Sequence, residues 1–147
     1  MEMERQFCTF LLDDLFFGIE VRTVQEVIRA QAMTRVPLAQ RAIRGLINLR
    51  GQIVTAIDLR ERLGLAPLGE GREPMNVVVR TDEGAVSLLV DEIGDVLEVA
   101  AELFEEPPET LPAHAREMIR GVYKLSDRLL LVLDTDKALA VEPAGSR

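Results

Sequence analysis

A charged turn between two apolar runs is the part of this sequence best suited to bind a partner. Residues 43–59 read IRGLINLRGQIVTAIDL, and Arg50-Gly51 form the turn between the runs. A guanidinium carries five fixed N–H donors, which suit carboxylates or helix carbonyls on another protein. The alternative is that Arg50 is a solvated arginine of a hairpin, because isolated exposed charges usually contribute little.

The same block occurs a second time without that charged turn. Residues 119–135 read IRGVYKLSDRLLLVLDT, and each matching residue lies 76 positions after its counterpart, as Ile119 follows Ile43. Ser126-Asp127 stand where the first copy has Arg50-Gly51, so the fold does not require the arginine. Asp58 and Asp134 recur, which predicts that each caps the helical turn that follows it.

Residues that could support catalysis or bind metal are sparse. The chain has one histidine, His114, and one cysteine, Cys8. No second histidine lies near His114 for a metal site, and no nucleophile lies beside it in sequence. The carboxylates are scattered, and no Gly-rich phosphate loop is present. We therefore expect no enzyme activity, no metal and no cofactor.

Composition excludes other classes of function. The net charge is −8, which disfavours nucleic acid and offers no polybasic membrane anchor. The longest apolar run, about 129–133, is too short to span a bilayer, and the N-terminus has no signal-peptide pattern. A single cysteine fits a reducing compartment. The sequence thus predicts a cytoplasmic protein without direct membrane insertion.

Short apolar segments between turn signals predict an all-β chain with short helices. Thr23 is predicted to cap a short helix over 24–29, with Glu26 as its capping-box partner. The predicted strands are 7–12, 16–21, 46–50, 52–59, 76–80, 86–90, 121–125 and 128–133. Residues 64–74 hold three Gly and two Pro and are the best linker candidate. We therefore predict two matching halves, roughly 5–66 and 75–141, each forming a small barrel of about five strands and sharing an apolar interface.

Four apolar residues match between the two halves. Val24 corresponds to Ile93 and Val27 corresponds to Val96, each pair 69 positions apart. Apolar residues at such spacing are usually core. The alternative is that matched positions meet near the pseudo-symmetry axis and line an apolar groove, where a helix could dock.

Three ordered blocks of the sequence resemble the CheW family of bacterial chemotaxis adaptors. They are Gly45–Val54 followed by Ile57–Arg60, Phe17–Val21 leading into Val24–Ile28, and Leu89–Val96. The resemblance implies two SH3-like five-stranded β-barrels packed side by side. It also implies a non-catalytic adaptor that couples chemoreceptors to the histidine kinase CheA.

The resemblance also implies roles for individual residues. Arg50 and Glu26 would contact the cytoplasmic hairpin tip of a chemoreceptor, together with the groove residues Val24, Val27, Ile93 and Val96. Gly45 would lie on the surface that binds the regulatory domain of CheA, although Gly45 and Gly51 are first expected to permit positive φ. Thr55-Ala56 depart from the family, in which a proline often follows the Arg-Gly turn, and the Pro-rich segment 105–112 looks individual to this chain.

Alternatives to the chemotaxis adaptor follow from the same residues. Similar barrels occur within CheA and CheV, but we expect a stand-alone adaptor because no kinase core or receiver flanks the domain. An adaptor in a chemotaxis-like pathway that controls other motility or gene expression is a near variant. A small-molecule or enzymatic site in a pocket between the halves is a third hypothesis, with poor support because no convergent polar cluster is visible.

Overall fold

The computed structural model describes residues 4–140, which form an all-β chain with short helices, as predicted. The strands are β1 Glu4–Leu12, β2 Leu15–Glu20, β3 Val24–Ile28, β4 Ile43–Leu49, β5 Gln52–Asp58, β6 Met75–Thr81, β7 Gly84–Val90, β8 Glu92–Ala100, β9 Phe104–Glu105, β10 Ile119–Lys124 and β11 Leu129–Leu133. The α-helices are α1 Leu59–Leu63, α2 Ala113–Arg116 and α3 Thr135–Ala138, and Val21–Thr23 and Ala101–Leu103 are 3₁₀ turns.

The strands form two sheets. The first has the order β8-β1-β2-β11-β10-β9, and the second has the order β3-β6-β7-β5-β4. The first sheet thus has a sixth strand, the two-residue β9, beyond the five predicted. Each sheet combines antiparallel neighbours with one parallel pair, β2–β11 and β5–β7.

Each sheet curls so that its outer strands approach each other. In the first sheet, Val99 of the outer strand β8 belongs to one buried cluster with Tyr123 of β10, the strand beside the two-residue outer strand β9. In the second sheet, Ile28 of β3 packs on Leu49 and Val54 of β4 and β5. These contacts between outer strands give each sheet the barrel form that was predicted.

The two halves of the sequence exchange hairpins. The β1–β2 hairpin pairs with β8 and β11, whereas the β6–β7 hairpin pairs with β3 and β5. Strands from 5–66 and strands from 75–141 therefore occur in both sheets. Segment 64–74 connects α1 to β6 and does not cross between the sheets. The chain crosses between sheets at Val21–Thr23 and at Asp91. Both connections are very short. The strand bends sharply there and continues directly into a strand of the other sheet.

The register confirms the doubled block. Ile43 pairs with Ile57, a bulge follows, and Gly45 then pairs with Ala56. In the second copy Ile119 pairs with Leu133, and the register shifts in the same way before Gly121 pairs with Val132. The helix caps are confirmed as well. Asp58 Oδ1 accepts hydrogen bonds from the Arg60 and Glu61 N–H groups, and Asp134 Oδ1 accepts one from the Lys137 N–H.

The predicted helix over 24–29 is wrong. Thr23 ends a 3₁₀ turn, and Val24–Ile28 is strand β3, which pairs with β6. Val24, Val27 and Ile28 are β-branched, and pairing with β6 satisfies the backbone that a short helix would leave exposed. Glu26 is therefore not the capping-box partner of Thr23.

One hydrophobic core joins the two barrels. It includes Phe10 and Phe17 of the first sheet together with Ile57 and Leu88 of the second, all at most 2% exposed. The Phe10 and Phe17 rings stack with their centroids 5.6 Å apart. Both sheets contribute to this shared core, and each barrel also has a smaller buried cluster of its own.

Candidate partner-binding surface

Arg50 and Gly51 form a two-residue turn between β4 and β5. Arg50 has φ 53° and Gly51 has φ 89°, and the flanking residues Leu49 and Gln52 pair. Two residues with positive φ suit the twist of a tight hairpin. Asn48 Oδ1 accepts a hydrogen bond of 2.8 Å from the Gly51 N–H and holds the turn. The predicted positive φ of Gly51 is confirmed.

The equivalent turn in the second copy has a different backbone. Leu125 and Arg128 close it through a hydrogen bond of 2.8 Å from the Leu125 N–H to the Arg128 carbonyl. Neither Ser126 nor Asp127 is among the described residues with positive φ. The first copy therefore keeps Arg50 in a left-handed conformation that non-glycine residues seldom adopt, although the second copy closes its hairpin without one.

Arg50 is paired with Glu26. The Arg50 guanidinium donates from Nη2 to Glu26 Oε2, and this hydrogen bond is the main reason why the pKa of Glu26 is lowered. Glu26 lies on β3 and Arg50 follows β4, so the ion pair joins the two outer strands of the second sheet. The Arg50 side chain stays 68% exposed, which leaves guanidinium surface for a partner.

The four apolar residues divide into two classes. Val24 and Ile93 are partly buried and pack against the shared core. Val27 and Val96 are exposed, by 37% and 57%. Their registers match: Val24 and Val27 pair with β6 and Ile93 and Val96 pair with β1, with a bulge in between in each case. The predicted correspondence between the two halves is therefore present in the fold, with one outward and one inward residue on each strand.

Gly45 is buried in β4 and has no positive φ, so that part of its prediction is wrong. A Cβ added at this position would lie 2.8 Å from the Thr34 carbonyl oxygen and 3.1 Å from Met33 Cβ. The Thr34 and Leu46 backbones exchange hydrogen bonds across it, at 2.9 and 2.8 Å. Glycine is needed because segment 33–34 crosses closely over β4.

Sequence reasoning missed a buried ion pair. Arg60 in α1 and Asp91 at the crossing between β7 and β8 are 6% and 7% exposed, and their side chains bind each other through two hydrogen bonds. Both residues lie inside the blocks quoted above, but a second charged residue follows each of them directly, so no local pattern marked them as buried. Arg60 also pairs with Asp13 in the β1–β2 turn, which connects the two barrels.

A comparison with models of protein families identifies the family of this chain. The model described as the CheW-like domain matches residues 6–142. The chain belongs to the CheW-like domain family. Family members are adaptor and scaffold proteins of chemotaxis, so the resemblance found in the sequence is confirmed at this level.

Named CheW proteins match almost the whole chain. The chemotaxis protein CheW of Klebsiella aerogenes is 31% identical over 138 residues, covering 94% of this chain and 83% of that protein. CheW of Bacillus subtilis is 31% identical and covers 93% and 88%. The crystal structure of the scaffolding protein TtCheW from Thermoanaerobacter tengcongensis superposes with a TM-score of 0.79 at 26% identity, covering 89% of both chains.

Residues 4–140 include no helix long and apolar enough to cross a membrane. Among the side chains that the structure describes, no three from His, Cys, Asp or Glu lie where they could hold a metal ion together.

Proposed function

We propose that this CheW-like protein is a non-catalytic adaptor that couples the cytoplasmic hairpin tip of chemoreceptors to the regulatory domain of the histidine kinase CheA. The observation that carries the proposal is the exposed Arg50. It lies in a turn with a strained backbone, and the second copy of the block forms its turn without that strain. A feature that folding does not require, in a family of scaffolds, is best explained by a partner.

The receptor surface of this proposal combines charge and apolar area. Val27 and Val96 supply exposed apolar contacts, and Val24 and Ile93 support them from the core side. Glu26 and Arg50 supply the charged rim. A helical hairpin that presents apolar residues flanked by charges has the matching chemistry for helix-in-groove docking.

The kinase surface of this proposal involves Gly45 indirectly. Gly45 is buried, so it offers no side chain to CheA, but it allows segment 33–34 to cross β4. The chain continues into Val36-Pro37-Leu38, where Leu38 is 91% exposed and has φ 65°. Gly45 would thus act by fixing the path of a loop that carries an exposed apolar residue.

Two modest interfaces on one adaptor suffice for assembly in an array. Each contact can be weak, because neighbouring molecules in an array raise the effective concentration of the second partner. The adaptor would work in the cytoplasm and reach the membrane through the receptors that it binds. The chain is also 30% identical over 116 residues to Protein PilI of Pseudomonas aeruginosa, a relative with a different name. That likeness favours, as second candidate, an adaptor of a chemotaxis-like pathway with another output.

The test is a pull-down with purified partners. The full chain is mixed with a CheA regulatory domain or with a chemoreceptor hairpin, and Arg50→Glu is compared with the unchanged protein. We expect the variant to lose most receptor binding, to keep kinase binding and to keep its thermal unfolding midpoint. Unchanged receptor binding by a folded variant would refute the role of Arg50. Failure of the unchanged protein to bind either partner would refute the adaptor function.

A further inference from the structure

A cavity of about 370 Å³ lies in the first barrel, and none of its lining residues belongs to the proposed receptor surface. Phe7, Tyr123 and Val132 of the barrel core line it, and Phe104 of β9 and Ala101 lie beside them. The centroid of the Tyr123 ring is 5.3 Å from that of Phe104 and 5.6 Å from that of Phe7. An aromatic wall with a few polar groups is the usual composition of a site for a small organic molecule.

The polar groups of this cavity carry an excess of positive charge. Arg5, Arg120 and Glu20 line it. Arg5 and Arg22 both pair with Glu20, through N–O distances of 3.3 and 3.0 Å. Arg120 is exposed and has neither an ion pair nor a hydrogen bond with any side chain that the structure describes. With two arginines and one carboxylate, the lining carries one net positive charge.

Tyr123 supplies a second unpaired polar group. The residue is only 2% exposed, and its hydroxyl makes no hydrogen bond to a group that the structure describes. The hydroxyl oxygen is nevertheless accessible to solvent, and Tyr123 lines the cavity. Burial raises the pKa of Tyr123, so the hydroxyl stays protonated and remains a donor at neutral pH. Water satisfies an accessible hydroxyl of this kind, and a ligand in the cavity would replace that water.

The duplicated fold provides an internal comparison. A cavity of about 290 Å³ lies in the second barrel, and Arg44, which matches Arg120 in the doubled block, lines it. Arg44 is paired there with Asp58, and Pro67 and Leu68 of segment 64–74 line the same space. Asp134, the counterpart of Asp58, caps α3 and makes no ion pair with Arg120. In the second barrel Arg44 is therefore neutralised by a carboxylate, whereas in the first barrel Arg120 is not.

We infer that the first-barrel cavity binds a small monocarboxylate with a flat apolar body. The carboxylate would accept hydrogen bonds from Arg120 and the Tyr123 hydroxyl, and the apolar body would lie against Phe104, Phe7 and Val132. A single negative charge balances the two arginines and one carboxylate that line the space. This site and the proposed receptor surface share no residue, so the inference does not depend on the adaptor function.

The probe for this site is 2-naphthoate, titrated into the isotopically labelled full chain and followed by amide chemical shifts. We expect saturable shifts at Ala101, Gly121 and Tyr123, with a Kd of about 1 mM, as a small ligand of ordinary efficiency gives. The neutral amide, 2-naphthamide, should bind at least about tenfold more weakly, because it cannot satisfy the guanidinium charge. Equal binding of acid and amide would overturn the inference.

Variants test the named groups. Arg120→Gln should weaken 2-naphthoate binding about tenfold, and Tyr123→Phe should weaken it by a smaller factor while keeping the ring in the core. Arg44→Gln, the matched position of the second barrel, should leave the affinity unchanged. Arg120 is exposed, so its loss should preserve the dispersed spectrum of the folded chain. Unchanged affinity in Arg120→Gln, or shifts confined to residues outside the cavity, would overturn the inference.

Discussion

Arg60 and Asp91 form a buried, bidentate ion pair at the point where the chain crosses between the barrels. Arg60 Nε lies 2.8 Å from Asp91 Oδ1, and Arg60 Nη2 lies 2.7 Å from Asp91 Oδ2. Asp91 also accepts a hydrogen bond of 2.8 Å from the Asp13 N–H in the β1–β2 turn. The pair thus ties α1 of the second barrel to a turn of the first.

Removing one partner of this pair should destabilise the fold. Asp91→Ala leaves the Arg60 charge buried without its main partner, and we expect a loss of about 3–5 kcal/mol in the free energy of unfolding. Urea denaturation measures this loss. Arg72→Gln breaks the exposed pair between Arg72 and Glu92 instead and should cost less than about 1 kcal/mol. A loss for Asp91→Ala no larger than that of the control would contradict the structural role.

Stability should fall in acid because of the same carboxylate. Burial by itself would raise the pKa of Asp91, but hydrogen bonds from Arg60 and the Asp13 N–H outweigh it and lower the pKa. The unfolded chain therefore takes up the proton first, so the stabilisation is complete above about pH 4 and decreases as the pH falls further. Urea midpoints between neutral pH and about pH 3 should drop less steeply in Asp91→Asn. Equal slopes for the two proteins would show that Asp91 does not carry this dependence.

Exchanging the charges of Arg50 and Glu26 should separate folding from recognition. The double variant Arg50→Glu with Glu26→Arg keeps an ion pair between the two outer strands of the second barrel, so thermal stability should match the unchanged protein. Receptor binding should still fall at least about tenfold, because both rim charges are reversed toward the partner. Binding measured by titration calorimetry that recovers in the double variant would mean that only the ion pair matters.

Gly45 and Gly51 should respond differently to alanine. Gly45→Ala forces a Cβ to within 2.8 Å of the Thr34 oxygen, which should cost about 1–3 kcal/mol and reduce CheA binding through the displaced loop. Gly51→Ala meets no atom within 4 Å, so only its φ of 89° is strained, at about 1 kcal/mol. Kinase binding should be unaffected in Gly51→Ala. An equal loss of kinase binding in both variants would argue against the loop as the cause.

Substitution of the outward Val96 should affect receptor binding, whereas substitution of the inward Val24 should affect stability. Val96→Ser removes an exposed side chain, so stability should hardly change while receptor binding weakens. Val24→Ala removes methyl groups that pack on the shared core and should cost about 1 kcal/mol. Receptor binding and urea denaturation, measured on both variants, check this. Intact receptor binding in Val96→Ser would remove Val96 from the proposed surface.

Local features could be predicted because residues close in sequence decide them. The Arg50-Gly51 turn follows from a positive-φ dipeptide between apolar runs, and the caps at Asp58 and Asp134 depend on the next three residues. The strand β3 escaped prediction because its five residues fit a helix pattern locally. Only the backbone of β6, some fifty residues away, selects the extended form.

The sequence by itself determined the doubled block, the all-β class, the tight hairpin of Arg50 and the family. Only the tertiary structure decided which strands pair, and with that the exchange of hairpins, the ion pairs Arg50–Glu26 and Arg60–Asp91, and the cavity beside Arg120. The reason is physical. Turns and caps are closed by hydrogen bonds between near neighbours, whereas strand order and side-chain pairing depend on how two curled sheets bury one common core.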